Sequence, residues 1–204
     1  MLPVCIDHIV ISVPELPVAE ESFRTMYGLE VAGGGRHDGA GTENRIIPLD
    51  GSYLELVTVV DPSEAAANPF GRLVTHGLEH RIPLTAWAVQ VPERADELSH
   101  QRLRRKGVAV DLYGVDEVIG QGDRPFGLLR PAGQASPGAR SMHGHTLIDI
   151  QTVAPGATEP TSVGSADVVV SSVATGGRLS AVVLESPDGL SVTLDQHLLE
   201  VISR

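Results

Sequence analysis

Two side chains able to bind a divalent metal or move a proton lie in runs whose alternation fixes where they point. His8 belongs to Ile6-Asp-His-Ile-Val-Ile-Ser-Val-Pro14, where Ile9, Ile11 and Val13 alternate with His8, Val10 and Ser12. A period of two places His8 on the face opposite the isoleucines. Glu55 belongs to Tyr53-Leu-Glu-Leu-Val57 and shares a face with Tyr53 and Val57, with Leu54 and Leu56 opposite. The plainer alternatives are a hydrogen-bonded strand histidine, and a carboxylate paired with Arg45 or a nearby backbone group. Between these two runs lie His37, Asn44 and Arg45, in and after a glycine-rich stretch over 33–41. Glycines permit close backbone approach, Asn44 both donates and accepts, and Arg45 offers an anion fork, which together suit a ligand rim. A solvated hairpin with an Asn cap accounts for them equally well. Trp87, the single tryptophan, could stack on a ligand or pack in the core. The glycine run is not a phosphate loop, because no Gly-Lys-Ser/Thr ending or helix follows it. Ser136 and Ser141 have no base at useful spacing, so nucleophilic triad chemistry is not expected.

Composition narrows the partners. The chain has 204 residues, enough for one large or two small domains, and its 42% hydrophobic content predicts a folded core. With only 3% aromatics, that core is aliphatic and sheet-favouring. A net charge of −11 and the absence of a basic stripe argue against nucleic acid. The densest basic run, Arg102, Arg104, Arg105 and Lys106, is read as the cationic end of a helix. Cys5 is alone, which excludes an intrachain disulfide, and its apolar strand predicts a buried small hydrophobe. No apolar run reaches the roughly 18 residues of a membrane span, and no basic segment precedes an apolar one at the N-terminus. A cytoplasmic protein without membrane partners is the expectation.

These residues need elements to hold them, and the chain supplies a repeat. Val10-Ile-Ser-Val-Pro-Glu15 recurs as Ala88-Val-Gln-Val-Pro-Glu93, 78 residues later by numbering (91 − 13). The first copy continues with Leu16, Ala19, Phe23 and Met26 at helical spacing and Gly28 as the stop. Strands follow over 30–32, 42–49 and 52–59, the last two joined at Asp50-Gly51. The first module, 1–62, is therefore β-α-β-β-β. A linker over 63–83 carries Pro, Asn and Gly, with room for a short helix. The second module, 84–155, is looser: a helix over 94–106 stopped by Gly107, then strands over 108–112, 126–129 and 146–153. A loop over 132–144 precedes the last of these. A β extension over 156–204 has strands at 167–173, 179–185 and 190–195, with a hairpin turn at Asp188-Gly189. It is read as a degenerate half-unit that completes or covers the second sheet.

The combination of Ile6–Pro14, the run from Gly33 to Leu49 and Tyr53–Val57 resembles glyoxalase-like domains of the vicinal oxygen chelate superfamily. The resemblance covers roughly the first 60 residues by motif and the rest by pattern. It implies an α+β fold in which paired βαβββ modules form a curved, incompletely closed barrel around a cavity. It implies metal ligands at His8 and Glu55, with Glu55 also a catalytic base, and a divalent metal such as Zn, Fe, Mn or Ni. It implies a homodimer, since such barrels are often completed between chains. The second module departs from the pattern. Alignment of Val13-Pro14 with Val91-Pro92 places Ala86 where His8 stands, and alanine binds no metal. If the fourth strand of that module is 146–153, Ile148 stands opposite Glu55. Asp149, Gln151, His143 and His145 are the donors that could substitute.

Two functional classes remain open at this point, and a purely structural or oligomerisation domain is a third. One is a metal-dependent lyase, isomerase or dioxygenase acting on a small molecule. The other is a metal-free protein binding a drug or metabolite, with His37, Asn44, Arg45 and Trp87 as ligand contacts.

Overall fold

The computed structural model describes residues 5–139, 144–163 and 176–197. The expected strand over 167–173, and His143 and Ser141, lie outside them. Twelve strands are described: β1 (Ile6–Ser12), β2 (Gly33–His37), β3 (Thr42–Pro48), β4 (Tyr53–Val59), β5 (Leu84–Gln90), β6 (His100–Arg105), β7 (Val108–Tyr113), β8 (Phe126–Leu129), β9 (Thr146–Val153), β10 (Thr161–Ser162), β11 (Arg178–Glu185) and β12 (Ser191–Asp195). Four helices are described: α1 (Leu16–Tyr27), α2 (Pro62–Ala67), α3 (Pro69–His80) and α4 (Val115–Val118). None among the described residues is long and apolar enough to cross a membrane.

The first eight strands form one sheet in the order β2-β3-β4-β1-β5-β8-β7-β6. Each half has one parallel pair, β1 with β4 and β5 with β8, and the halves join where β1 runs antiparallel to β5. The two edges approach each other: Asp38, just after β2, bridges to Arg104 of β6 through a 2.8 Å backbone hydrogen bond. The sheet is thus nearly closed into a barrel, the α+β arrangement expected of paired modules.

Strand alternation sorts the buried residues into two cores. Ile9, Ile11, Leu54, Leu56, Trp87 and Val89 face outward from the barrel. Over the first half they pack on Leu16, Ala19 and Phe23 of α1; over the second they meet Ile150, Leu179, Val182 and Leu184 of a separate sheet ordered β10-β9-β11-β12. That second sheet covers apolar surface that a helix covers in the first half. On the inner face, Val10, Val57, Ala86 and Ala88 pack on Phe70, Leu73 and Val74 of α3, which fills one end of the barrel.

Several expectations are corrected. No helix forms over 94–106: residues 91–99 are turns and bends with no helix, and β6 follows. Lys106 (φ 49°) and Gly107 (φ 79°) are the central pair of the turn joining β6 to β7, the two positive φ values of a tight hairpin. Gly107 serves that turn rather than a helix stop, so the basic run is a hairpin, not a helix end. The second strand is Gly33–His37 rather than 30–32. Its glycines hide it from propensity, yet Gly34 (φ 150°) is required: a Cβ there would stand 2.1 Å from the Asn44 carbonyl oxygen. The fourth strand of the second module is β8, and β9 belongs to the other sheet. Met26 is 53% exposed, outside the buried stripe of α1, and Cys5 is exposed. The stretch read as a linker holds two helices, each with proline in its first turn and capped by a side chain, Asp61 for α2 and Asn68 for α3.

Trp87 is fully buried on the outer face, where its indole Nε1 donates to the Gly122 carbonyl at 3.2 Å. Trp87→Ala is expected to destabilise the fold by about 3–5 kcal/mol. Urea denaturation reads the loss. A change below about 1 kcal/mol would contradict a core role.

Candidate functional site

The inner face holds a cavity of about 400 Å³, to whose wall Phe70 of α3 contributes. Its apolar wall includes Phe70, Leu103, Val110, Leu112, Phe126 and Leu128. Its polar floor is His8 from β1, His37 from β2 and Glu55 from β4, all nearly inaccessible to solvent. Each is there because its strand partner in sequence, Ile9 or Leu54 for instance, faces the outer core.

The floor is a chain of alternating charges. Arg130, directly after β8, donates to Asp7 Oδ1 at 2.7 Å and Oδ2 at 2.9 Å, and Gln90 Nε2 donates to Oδ2 at 3.1 Å. Asp7 in turn bonds His8 Nδ1 at 2.8 Å. A carboxylate only accepts, so the proton sits on Nδ1 and Nε2 faces the cavity floor. His8 Nε2 lies 3.3 Å from Glu55 Oε2, an ion-pair contact rather than a geometrically formed hydrogen bond, which leaves Nε2 without a hydrogen-bond partner. The ring is stacked on Tyr53 at 4.7 Å and makes a T-shaped contact with Phe126 at 5.7 Å. On the other carboxylate oxygen, Asn44 Nδ2 donates a short hydrogen bond to Oε1, and His37 Nε2 lies 3.5 Å away. His37 is itself held through Nδ1 by Thr42 Oγ1 at 2.9 Å.

These contacts set the charges. Burial alone would lower the His8 pKa, but the Asp7 hydrogen bond and then the Glu55 carboxylate outweigh it and raise the value from 6.5 to about 9. Burial would raise Glu55, but the hydrogen bond and charge of His8, with the Asn44 hydrogen bond, draw it down from 4.5 to about 2. Asp7, also buried, is held well below the ordinary range by His8 and Arg130. For His37 burial prevails and the pKa falls, so this ring is neutral.

Of the residues singled out in the sequence, His8, His37 and Glu55 line the cavity, and Asn44 lies buried behind Glu55. Arg45 does not join them. It alternates with Asn44 along β3 and lies against Glu43 (2.8 Å) and Glu20 (3.6 Å) instead. Trp87 faces away, as its position between Ala86 and Ala88 of the inner face requires. Sequence reasoning missed Asp7, Tyr53, Phe126 and Arg130 as members of the site, and it misplaced Arg105 and Lys106. The Asp-His dipeptide and the hairpin-compatible Lys106-Gly107 were the available signals.

A metal site of the family's kind needs a second pair of donors from the second module. β1 pairs Val10 with Glu55, and β5 pairs Ala88 with Phe126. The repeat offset carries Val10 to Ala88, so Phe126, not Ile148, is the counterpart of Glu55, as Ala86 is of His8. Ile148 is 49% exposed in the other sheet. Asp149, Gln151 and His145 are not part of the cavity lining. No group of three or more His, Cys, Asp or Glu side chains among the described residues is arranged to hold a metal ion. The orphaned His8 Nε2 and Glu55 are half a ligand set facing a methyl group and a phenyl ring, and these residues do not fit a four-ligand metal.

The ion pair has a pH signature. A raised histidine contributes stability in full below its unfolded value of 6.5, lost as pH rises through about 9. A lowered carboxylate contributes above 4.5, lost as pH falls through about 2. The combined contribution is therefore greatest between these two unfolded values. An NMR titration of the His8 ring should give a midpoint near 9, and Asp7→Asn should lower that midpoint by about one pH unit or more. A His8 midpoint near 6.5 in the unaltered protein contradicts the charged pair.

Comparison with known proteins gives a family and several similar solved structures. Residues 6–147 match the glyoxalase-like domain family. Similar solved structures include a hypothetical protein from Staphylococcus aureus, at 16% identity and a TM-score of 0.47, covering 62% of this chain and 58% of that one. A variant methylmalonyl-CoA epimerase from Streptomyces coelicolor, in complex with 2-nitronate-propionyl-CoA, gives 16% identity and a TM-score of 0.49, covering 64% and 97%. The methylmalonyl-CoA epimerase of Mycobacterium tuberculosis gives 17% and 0.45, covering 62% and 86%. None of the curated proteins matches the sequence. With the family matched over residues 6–147 of 204, this chain belongs to the glyoxalase-like domain family.

Proposed function

We propose that this chain is a small-molecule enzyme of isomerase or lyase type, moving a proton to and from carbon with Glu55 and His8 and without a metal. The observation that carries this reading is a buried His8–Glu55 ion pair at the floor of an apolar cavity. Such a pair is costly to bury and is worth retaining where it does chemistry. A carbonyl compound seated on the floor would place its oxygen at His8 Nε2 and the adjacent C–H at Glu55. Glu55 takes the proton from carbon as the C–H bond breaks, while His8 donates to the oxygen that becomes the enolate. Glu55 is a weak base while His8 is charged. As the His8 proton shifts toward the enolate oxygen, the charge that lowers Glu55 fades and its basicity rises in step. Asp7 holds the His8 ring in its orientation throughout, and neutral His37 and Asn44 hold the carboxylate.

Phenylpyruvate and related 2-oxo acids in D2O test this, with deuterium at the carbon next to the carbonyl followed by NMR. The expected result is enzyme-dependent exchange that survives EDTA treatment and falls about 100-fold or more in Glu55→Gln. Elemental analysis of untagged protein should find substoichiometric metal. Exchange lost with EDTA and restored by Zn, Mn, Fe or Ni would return a metal to His8 and Glu55. No exchange beyond buffer with any of these acids favours a binding protein.

A further inference from the structure

We infer that the β6–β7 hairpin is an oxyanion anchor: the cavity takes a ligand with a carboxylate or phosphate head on an apolar body, the head held by Arg105 and Lys106. This names a substrate class for the site proposed above and rests on that reading only for the chemistry, not for the binding. The chain carries a net charge of −11, yet four of its 15 lysines and arginines, Arg104, Arg105, Lys106 and Arg130, line this one cavity. Among the described residues the only carboxylate lining it is Glu55, already matched by His8. Arg130 is matched by Asp7. Arg105 donates through Nη1 only to the neutral Asn44 amide oxygen, at 2.9 Å, and no carboxylate among the described residues lies within ion-pair distance of Arg105 or Lys106.

The backbone places these two cations deliberately. Leu103 faces the inner core, so Arg105, two residues on, shares its face. Lys106 occupies a left-handed turn position. Its stem rests on Gly35 of the opposite edge strand, where a Cβ would come within 2.9 Å of Lys106 Cε. A strand with bare glycines opposite the chain's only lysine leaves that ammonium at the mouth. The wall below is aliphatic and aromatic, so the body of the ligand is apolar, and about 400 Å³ admits a molecule of modest size. Clustered at the rim of a concave apolar cavity and without carboxylate partners, these cations attract anions more strongly than cations dispersed over an open surface.

Isothermal titration calorimetry with hexanoate, hexanamide and hexyl phosphate tests the anchor. Hexanoate should bind about tenfold or more tighter than hexanamide, with the advantage shrinking at 0.5 M NaCl. The double variant Arg105→Gln/Lys106→Asn should lose that preference; asparagine tolerates the left-handed turn. Lys106→Asn alone should lose part of it, and Arg105→Lys should keep most of it, which separates charge from folding. Hexyl phosphate binding tighter than hexanoate assigns a phosphate head, and weaker binding a carboxylate head. Equal binding of hexanoate and hexanamide overturns the inference, as does unchanged hexanoate binding in the double variant or no binding at millimolar probe. A protein that prefers hexanoate but exchanges no deuterium overturns the catalytic reading alone.

Discussion

Burying charge in an apolar barrel is the constraint around which this molecule is organised. A single desolvated carboxylate or imidazolium costs several kcal/mol, and only an ordered alternation of sign offsets it. Here the order is Arg130, Asp7, His8, Glu55, with each member in contact with the next. Its members come from β1, β4 and the end of β8, so the alternation closes only when both halves of the barrel are in register. Asn44 from β3 and His37 from β2 then satisfy the far side of Glu55. Every inner strand of the first module thus contributes a polar group to one carboxylate, and the second module supplies its distant counter-ion.

The two modules have diverged in what each supplies. The first keeps its helix and the polar pair. The second has Ala86 and Phe126 at the equivalent inner positions, and a turn region in place of the helix that would follow β5. These losses are compensated on opposite faces. Outside, Leu179 and Val182 of β11 cover Trp87 and Val89. Inside, the small side chains at 86 and 88 leave depth for Phe70, Leu73 and Val74 of α3, whose Gly77 approaches Ser12 and Thr85 too closely for any Cβ. Phe126 in turn packs against the His8 ring in a T-shaped contact. The side chain that removed a potential ligand is thereby part of what keeps water from the ion pair.

Where the chain obeys a strict period, the sequence was enough to read it. Alternation through Ile9 and Ile11, and through Leu54 and Leu56, placed His8 and Glu55 on one face, and Gly28 (φ 66°) ends α1 as a left-handed cap should. The failures have physical reasons. β2 is glycine because backbone must touch backbone, a requirement that no propensity records. Arg102 to Lys106 carries good helix formers, but tertiary pairing with β7 overrides them. Asn44 and Arg45 are adjacent and equally polar; only the pleat separates the one that holds Glu55 from the one that meets Glu43 and Glu20. Arg130 is 123 residues from Asp7, and nothing local announces a pair that far apart.

The charge count inside the cavity ties the proposed chemistry to the proposed ligand. Arg130, Asp7, His8 and Glu55 sum to zero, so the floor is polar without attracting either sign. Arg104, Arg105 and Lys106 leave an excess of three positive charges around the mouth. A carboxylate-bearing carbonyl compound enters with one negative charge, and its enolate carries two once Glu55 has taken the proton. The transfer leaves the total charge of the site unchanged: one negative charge moves from Glu55 to the ligand, and the His8 imidazolium and the hairpin cations favour the enolate to the extent that they face the ligand more closely than they face Glu55. A four-ligand metal would supply the same positive charge at the carbonyl itself. With Ala86 and Phe126 in place of two ligands, the charge has moved to the protein's own side chains: the imidazolium at the floor and the hairpin above it.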